Sequence, residues 1–334
     1  MRILYVTTTF PVFSETFLQR EARALLKAGV ELTIISLHRG ESTFEGYPVH
    51  RFSKWSLLKL FHLLPIAAFR HSEAMIRILS RMNAERPPSF LNAMENLLGF
   101  GAALVQADWI RSLRLDRAHS VWASAPAAYA MLMSELAGLP FSTGAHAYDV
   151  LEHGGDWLLG EKLRRAQFAH TSTEAAAKRI ARFCPREKVK LIRRGLSELP
   201  RFKSPAGVRS ELRIVCVARL VEKKGFPYQL EIYEALRRRG VAFSARIIGD
   251  GPLEVWLRAS ISARRLDAKV SLTGRLSEAE VMDQLQWADA LFHTGVVAKS
   301  GDRDGLPNVI PEAMATGVVV VASPVSGGVE AIGD

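Results

Sequence analysis

Short apolar runs alternate with apolar stripes at helical spacing along most of the chain. Ile3-Leu4-Tyr5-Val6 and Leu32-Thr33-Ile34-Ile35-Ser36-Leu37 read as strands. Between them Ser14 and Glu15 open a helix that carries Phe17, Leu18, Ala22, Leu25 and Leu26 on one stripe and stops at Gly29. A strand, a helix and a strand in immediate succession form a βαβ unit, whose two strands lie parallel. The series continues with a strand at Val121-Trp122-Ala123-Ser124, a helix over Ala127–Ala137 closed by Gly138 and Pro140, and a strand then a loop over Phe141–Asp149. Residues 161–183 look helical, with Thr171-Ser172-Thr173-Glu174 as a short strand running into a capped helix, and Val189–Ile192 is a further strand.

Arg193–Arg213 breaks the pattern with Gly195, Pro200, Pro205 and Gly207, and the alternation then restarts. Strands at Leu212–Val217, Ala245–Ile248, Val270–Leu272 and Leu291–His293 are separated by helices over Pro227–Arg239, Leu253–Arg264 and Ser277–Ala288. The last of these is capped by Ser277 with Glu280 three residues on. The predicted organisation is a domain over 1–195, a linker over 196–212 and a second domain over 213–334. Both are doubly wound α/β halves, and such sheets bind ligands at the carboxyl ends of their strands, here in the cleft between the halves. The second half has fewer elements and no closing helix, so it is expected to be incomplete.

Residues 51–118 are the least regular part. Within them, Lys54–Arg70 carries Trp55, Leu57, Leu58, Leu60, Phe61, Leu63, Leu64, Ile66 and Phe69, interrupted by Pro65. Ten Lys/Arg stand against five Asp/Glu between 51 and 120. One reading is an interfacial helix pair that touches an anionic membrane or a lipid-linked acceptor. The preferred reading is core-facing helices with solvated basic edges, because apolar stripes usually mean core.

The 334 residues are 48% hydrophobic with a mean hydropathy of +0.06, as in a soluble globular protein of about two domains. The formal charge of +10 and pI near 9.8 favour anionic partners. The basic residues are dispersed without aromatic interleaving, which argues against nucleic acid. Cys184 and Cys216 are the only cysteines and fit neither a zinc site nor a disulfide framework, so a reducing cytosol is expected. Met1–Phe10 is too short for a signal peptide, and no segment reaches the ~20 apolar residues of a membrane span.

The chemistry concentrates near the end. Asp302-Arg303-Asp304-Gly305-Leu306-Pro307-Asn308 leads into a helix that carries Glu312, stops at Gly317 and runs into Val318–Val321, a strand expected to be buried on both sides. Asp304 and Glu312 flank the helix N-terminus, whose free N–H groups suit phosphate, and acids beside phosphate suit sugar hydroxyls. Arg219 and Lys224, in the loop after the Leu212–Val217 strand, supply two cations for a diphosphate leaving group, and Gly225 permits close backbone approach. The alternative is an ordinary basic loop. His146, at a strand end beside Asp149, reads as a polar group touching the reacting sugar or as a satisfied core histidine. No second His or Cys accompanies it at metal spacing, so no zinc site is expected. An Asp-x-Asp metal reading of Asp302 and Asp304 is disfavoured, since Asp304 starts the turn into the helix. Ser14 and Glu15 either cap their helix or face the cleft. The first strand–helix turn lacks the glycine fingerprint of dinucleotide sites.

In combination, Phe10–Glu21, Phe141–Asp149, Ala218–Phe226, Ile248–Leu253 and Asp304–Val321 resemble the retaining glycosyltransferases of family four, over residues 1–50 and 119–334. The FSETF and HAYD versions look most like bacterial exopolysaccharide enzymes of the colanic-acid type. The resemblance implies the GT-B fold, two Rossmann-like domains facing a cleft. It implies that Arg219 and Lys224 bind the donor diphosphate, with Gly305, Leu306, Pro307 and Asn308 forming a phosphate cradle. Glu312 would bind the ribose, and Asp304 and His146 would serve the transferred sugar as catalytic residues. Ser14, Glu15 and Asp149 would lie on the acceptor side. Asp304 stands where the family more often has Glu. The implied reaction moves a sugar from a UDP- or GDP-linked donor to a surface polysaccharide or lipid-linked saccharide. It retains configuration and needs no cofactor or essential metal, in the cytoplasm or at the inner face of the plasma membrane. The alternatives are a nucleotide-sugar epimerase of the same fold and a truncated, non-catalytic nucleotide-binding paralogue.

Overall fold

The computed structural model describes residues 1–13, 15–196, 198–203, 210–325 and 327–332. The chain divides into two compact units, Met1–Arg193 and Arg194–Asp334. Of the linker expected at 196–212, residues 197 and 204–209 lie outside the described residues.

The first unit is built on strands β1 (Arg2–Thr7), β2 (Glu31–Ser36), β3 (Thr43–Phe44), β4 (Tyr47–Arg51), β5 (Arg117–Ser120), β6 (Phe141–Gly144), β7 (Ala169–Thr171) and β8 (Val189–Leu191). They form one sheet in the order β3-β4-β2-β1-β5-β6-β7-β8, parallel except for the β3–β4 hairpin. Its helices are α1 (Thr16–Lys27), α2 (Leu60–Arg70), α3 (Ser72–Ala84), α4 (Phe90–Ser112), α5 (Ala125–Ala137), α6 (Tyr148–Leu151), α7 (Leu159–Arg165) and α8 (Glu174–Ile180). The central strands are apolar on both faces because helices cover both: Leu4, Val6 and Ile35 join the core under α4 and α5, while Ile3, Tyr5 and Ile34 join the core that takes Leu18 and Ala22 of α1.

Several expectations are corrected here. The strand expected at 121–124 lies four residues earlier, at Arg117–Ser120, and Val121–Ser124 is the turn that leads into α5. Residues 51–118 are largely helical. Pro65 does not interrupt its helix, which runs from Leu60 to Arg70. The core-facing reading holds for only part of that helix surface. Leu60, Leu63 and Ala67 meet the core, but Trp55, Phe61 and Phe69 are 82%, 84% and 88% exposed.

The second unit has strands β9 (Leu212–Val217), β10 (Phe243–Ile248), β11 (Val270–Gly274), β12 (Ala290–His293) and β13 (Val319–Ala322), in the order β11-β10-β9-β12-β13, all parallel. Helices α9 (Phe226–Arg238), α10 (Glu254–Ala263), α11 (Glu278–Trp287), α12 (Val309–Thr316) and α13 (Gly327–Ile332) accompany them. The capping box of Ser277 and Glu280 on α11 forms as expected. The valine strand does not: β13 is an edge of the sheet, and Val319 is 64% exposed. The helix α13 was not expected either.

Candidate functional site

In the second unit the chain builds outward from β9 to β10 and β11, then crosses back to place β12 on the other side of β9. The order reverses between β9 and β12. Loops leaving the carboxyl ends of those two strands therefore diverge and leave a crevice, the usual ligand position in such sheets. The loop after β9 carries Arg219, Lys223, Lys224 and Gly225; the loop after β12 carries Asp302, Asp304 and the residues leading into α12.

Backbone contacts stitch the two loops together. Val296 N–H donates to the Lys223 carbonyl at 2.8 Å, and Thr294 Oγ1 donates to the Lys224 carbonyl at 3.1 Å. Gly225 has φ +65°, and a Cβ there would stand 1.9 Å from the Thr294 carbonyl oxygen. Only glycine fits both conditions.

The stitching brings cations onto acids. Lys224 Nζ donates to Asp304 Oδ2 at 2.6 Å. Lys223 Nζ lies 2.8 Å from Asp302 Oδ2 and 3.8 Å from Asp304 Oδ1, and His293 Nε2 lies 3.3 Å from Asp304 Oδ2. Burial works to raise the Asp304 carboxyl, but Lys224, His293 and Lys223 outweigh it and hold it well below the usual carboxylate range. Lys223, Asp302 and His293 belong to this cluster although the sequence reading did not assign them there; the doubled lysine and the doubled acid were the available signal.

Asp304 is therefore an ionised acid shared by two lysines. Arg219 is exposed and makes no side-chain hydrogen bond or ion pair among the described residues. Glu312 is buried in the first turn of α12. Asn308 is its N-cap and accepts from Arg194 Nη1 at 3.3 Å. Gly305 and the buried Leu306 and Pro307 precede it, and the N–H groups of Leu306 and Asn308 donate to no acceptor among the described residues. Two open N–H donors at a helix N-terminus, on the loop joined to the basic loop after β9, are groups of the kind that bind an anion.

In the first unit His146 follows β6 and is buried. It stands edge-on to Trp122 (5.5 Å), Phe17 (6.1 Å) and His170 (5.0 Å). His170 and His119 stack 5.2 Å apart beside it, brought in from β7 and β5. Asp149 is fully buried, and its carboxylate accepts the backbone N–H groups of His146 (3.1 Å), Ala147 (2.9 Å) and Ala123 (3.0 Å). Burial raises its pKa against those three hydrogen bonds. It positions the His146 turn. Glu15 is the N-cap residue of α1, without a side-chain capping bond, and Ser14 lies outside the described residues.

Residues 201–334 match the family described as Glycosyl transferases group 1. The chain is 29% identical over 98% of its length to WcaL of Escherichia coli K12, named as a colanic acid biosynthesis glycosyltransferase, and covers 83% of it. It is 38% identical to the amylovoran biosynthesis glycosyltransferase AmsK of Erwinia amylovora, over 45% of this chain and 37% of that one. Among solved structures, Anabaena HepE in complex with UDP and glucose superposes with a TM-score of 0.68 at 17% identity, covering 99% of this chain and 82% of that one. The fold is GT-B.

Proposed function

We propose that this chain, whose residues 201–334 belong to the group 1 glycosyl transferases, holds the diphosphate of a nucleotide-sugar in the β9–β12 crevice and transfers the sugar to a surface-polysaccharide precursor. The observation that carries the proposal is that the loop of Arg219, Lys223 and Lys224 and the loop of the open Leu306 and Asn308 N–H groups leave neighbouring strands at the reversal of strand order and are joined by Lys224 and Asp304. In the transfer, the bond from the sugar's anomeric carbon to the diphosphate oxygen breaks. A new bond forms to the acceptor hydroxyl, whose proton passes to the departing phosphate. Negative charge grows on the diphosphate, and fixed cations with oriented N–H donors stabilise it most where water is excluded.

The same cations can neutralise the leaving group without a bound metal, and retention of configuration is what the family-four resemblance implies. A uridine nucleotide is the donor to try first, because HepE of the same fold holds UDP. The named relatives are transferases, and the epimerase alternative gains no support from them.

The test is transfer and donor hydrolysis with a panel of UDP- and GDP-sugars in EDTA, alongside calorimetric titration with each nucleoside diphosphate. Turnover with one donor and a strong reduction of it in Lys224→Ala are expected. Absence of both turnover and nucleotide binding would sink the proposal.

A second observation concerns the acceptor. Trp55, Phe61, Phe69 and Phe90 are each more than four-fifths exposed, within the region 51–120 where basic residues outnumber acidic ones two to one. No helix among the described residues is long and apolar enough to cross a membrane. The proposed occupant of this surface is an anionic lipid bilayer, with the aromatic rings at the interface and Lys54, Lys59 and Arg70 at the headgroups. Contact with a bilayer suits a lipid-linked acceptor.

A further inference from the structure

We infer that Glu21, His119 and His170 form a site for one divalent transition-metal ion of the zinc class, with a fourth position open to water. The residues come from α1, β5 and β7 and share no spacing that a sequence would reveal. The sheet gathers them. Tyr5 pairs with His119, His119 with Ser142, and Gly144 with His170 across β1, β5, β6 and β7, which sets these positions on the same sheet face, against α1.

The distances suit coordination. His119 Nε2 and His170 Nε2 are 3.3 Å apart, and Glu21 Oε1 is 3.6 Å from His119 Nε2. One ligand atom of each residue falls within 4.8 Å of the others. A tetrahedral ion with metal–ligand bonds of about 2.0–2.1 Å separates its ligands by roughly 3.3–3.4 Å along each edge. Two imidazoles and one carboxylate are a common set for an ion that keeps an open position.

Outer contacts orient the ligands. His119 Nδ1 lies 2.8 Å from Ser142 Oγ, so a proton held on Nδ1 leaves the Nε2 lone pair facing the site. Tyr5 Oη donates to Glu21 Oε1 at 3.2 Å. Without an ion, two imidazole nitrogens 3.3 Å apart would instead share one proton as a hydrogen bond, and the experiment separates these cases. Because the His170 ring stands 5.0 Å from His146, an ion here would also fix the wall behind His146.

The experiment uses the whole chain, stripped with chelator and titrated with Co2+ and then Zn2+, without any donor nucleotide, so that its outcome does not depend on the transferase reading. One equivalent of Co2+ should bind with the visible spectrum of four-coordinate cobalt, Zn2+ should displace it, and Zn2+ should raise the melting temperature. His119→Gln with His170→Asn should abolish all three signals. Tyr5→Phe, which leaves the ligands in place, should weaken binding about tenfold or more. If the double variant does not fold, Glu21→Gln on the half-exposed helix face decides: a tenfold or greater loss supports the site. No bound Co2+ in the intact chain, or binding unchanged in the histidine double variant or in Glu21→Gln, overturns the inference.

Discussion

At the scale of single residues, the second unit turns on one carboxylate with three basic neighbours. Asp304 is ionised because Lys224, His293 and Lys223 surround it. Its pKa is depressed on folding, so its contribution to stability is complete above the unfolded value near 4 and is lost as pH falls below that value toward the depressed folded one. Asp304→Asn should therefore cost about 3 kcal/mol at pH 7 by leaving buried lysine charge uncompensated. The gap between variant and parent should narrow as pH drops below about 4. Urea unfolding of both proteins from pH 7 to pH 2 reads this directly, and a pH-independent gap would contradict it. Lys223, Lys224, His293, Asp302 and Arg303 are the charged or titratable groups nearest to the carboxylate in space or sequence, and they are the same in both proteins. Removing Lys224 acts on catalysis instead. Lys224→Ala should lower kcat/KM by about 10²–10³, the cost of one lost electrostatic donor to a developing anion, measured with whichever donor supports turnover. The sequence singled out Lys224 and Asp304 separately, for phosphate and for sugar, but not their pairing. Eighty positions separate them, and no local pattern encodes a contact made by two loops converging at a crossover. His119 and His170 escaped notice for the same reason.

At the scale of elements, strands and amphipathic helices were legible wherever period and punctuation agreed, as in β9, α9 and the capped α11. The helix α4 was not. It is buried along most of one half, with Leu98, Phe100, Ala102, Ala103 and Leu104 all inside, so it has no polar stripe to reveal a period. Its Gly99 and Gly101 look like breaks. They are contact points instead: a Cβ on Gly99 would stand 2.4 Å from the Ala125 carbonyl of α5. Gly99→Ala should therefore destabilise by about 1–3 kcal/mol through overpacking, the opposite sign to the gain expected at an unobstructed helical glycine. Thermal melting decides between the signs. Beside that helix, Lys162 is fully buried; it pairs with Asp156 and donates to Asn96 Oδ1 at 2.6 Å and to the Ala123 carbonyl at 3.1 Å. Burial lowers its pKa, with Asp156 opposing. Lys162→Met leaves Asp156 buried without its cation and should cost about 3–5 kcal/mol, whereas replacing both partners with apolar residues should cost less. A denaturant series on the single and double variants tests that ordering.

At the scale of the whole molecule, charge and exposed apolar surface converge on one region. The net charge of +10 gave a preference for anions without saying which. The apolar stretch at 54–70 gave a choice between core and interface, which hydrophobicity alone leaves open because both environments favour the same side chains. The structure separates them within one helix: Leu60, Leu63 and Ala67 meet the core while Phe61, Leu64, Ile66 and Phe69 do not. An aromatic ring left in water forgoes burial worth about 1.5–3 kcal/mol, and several such rings with lysine and arginine among them fit a headgroup layer. Binding to a bilayer should then depend on both terms at once. Vesicles containing anionic phospholipid should co-sediment the chain and purely zwitterionic vesicles should not; raised salt should weaken the attachment, because surface charges are screened within about a Debye length. Phe61→Ser with Phe69→Ser should reduce the bound fraction at every salt concentration, while Lys54→Gln with Lys59→Gln should reduce it mainly at low salt. Equal sedimentation by all three proteins and both vesicle types would show that the exposed rings serve another contact.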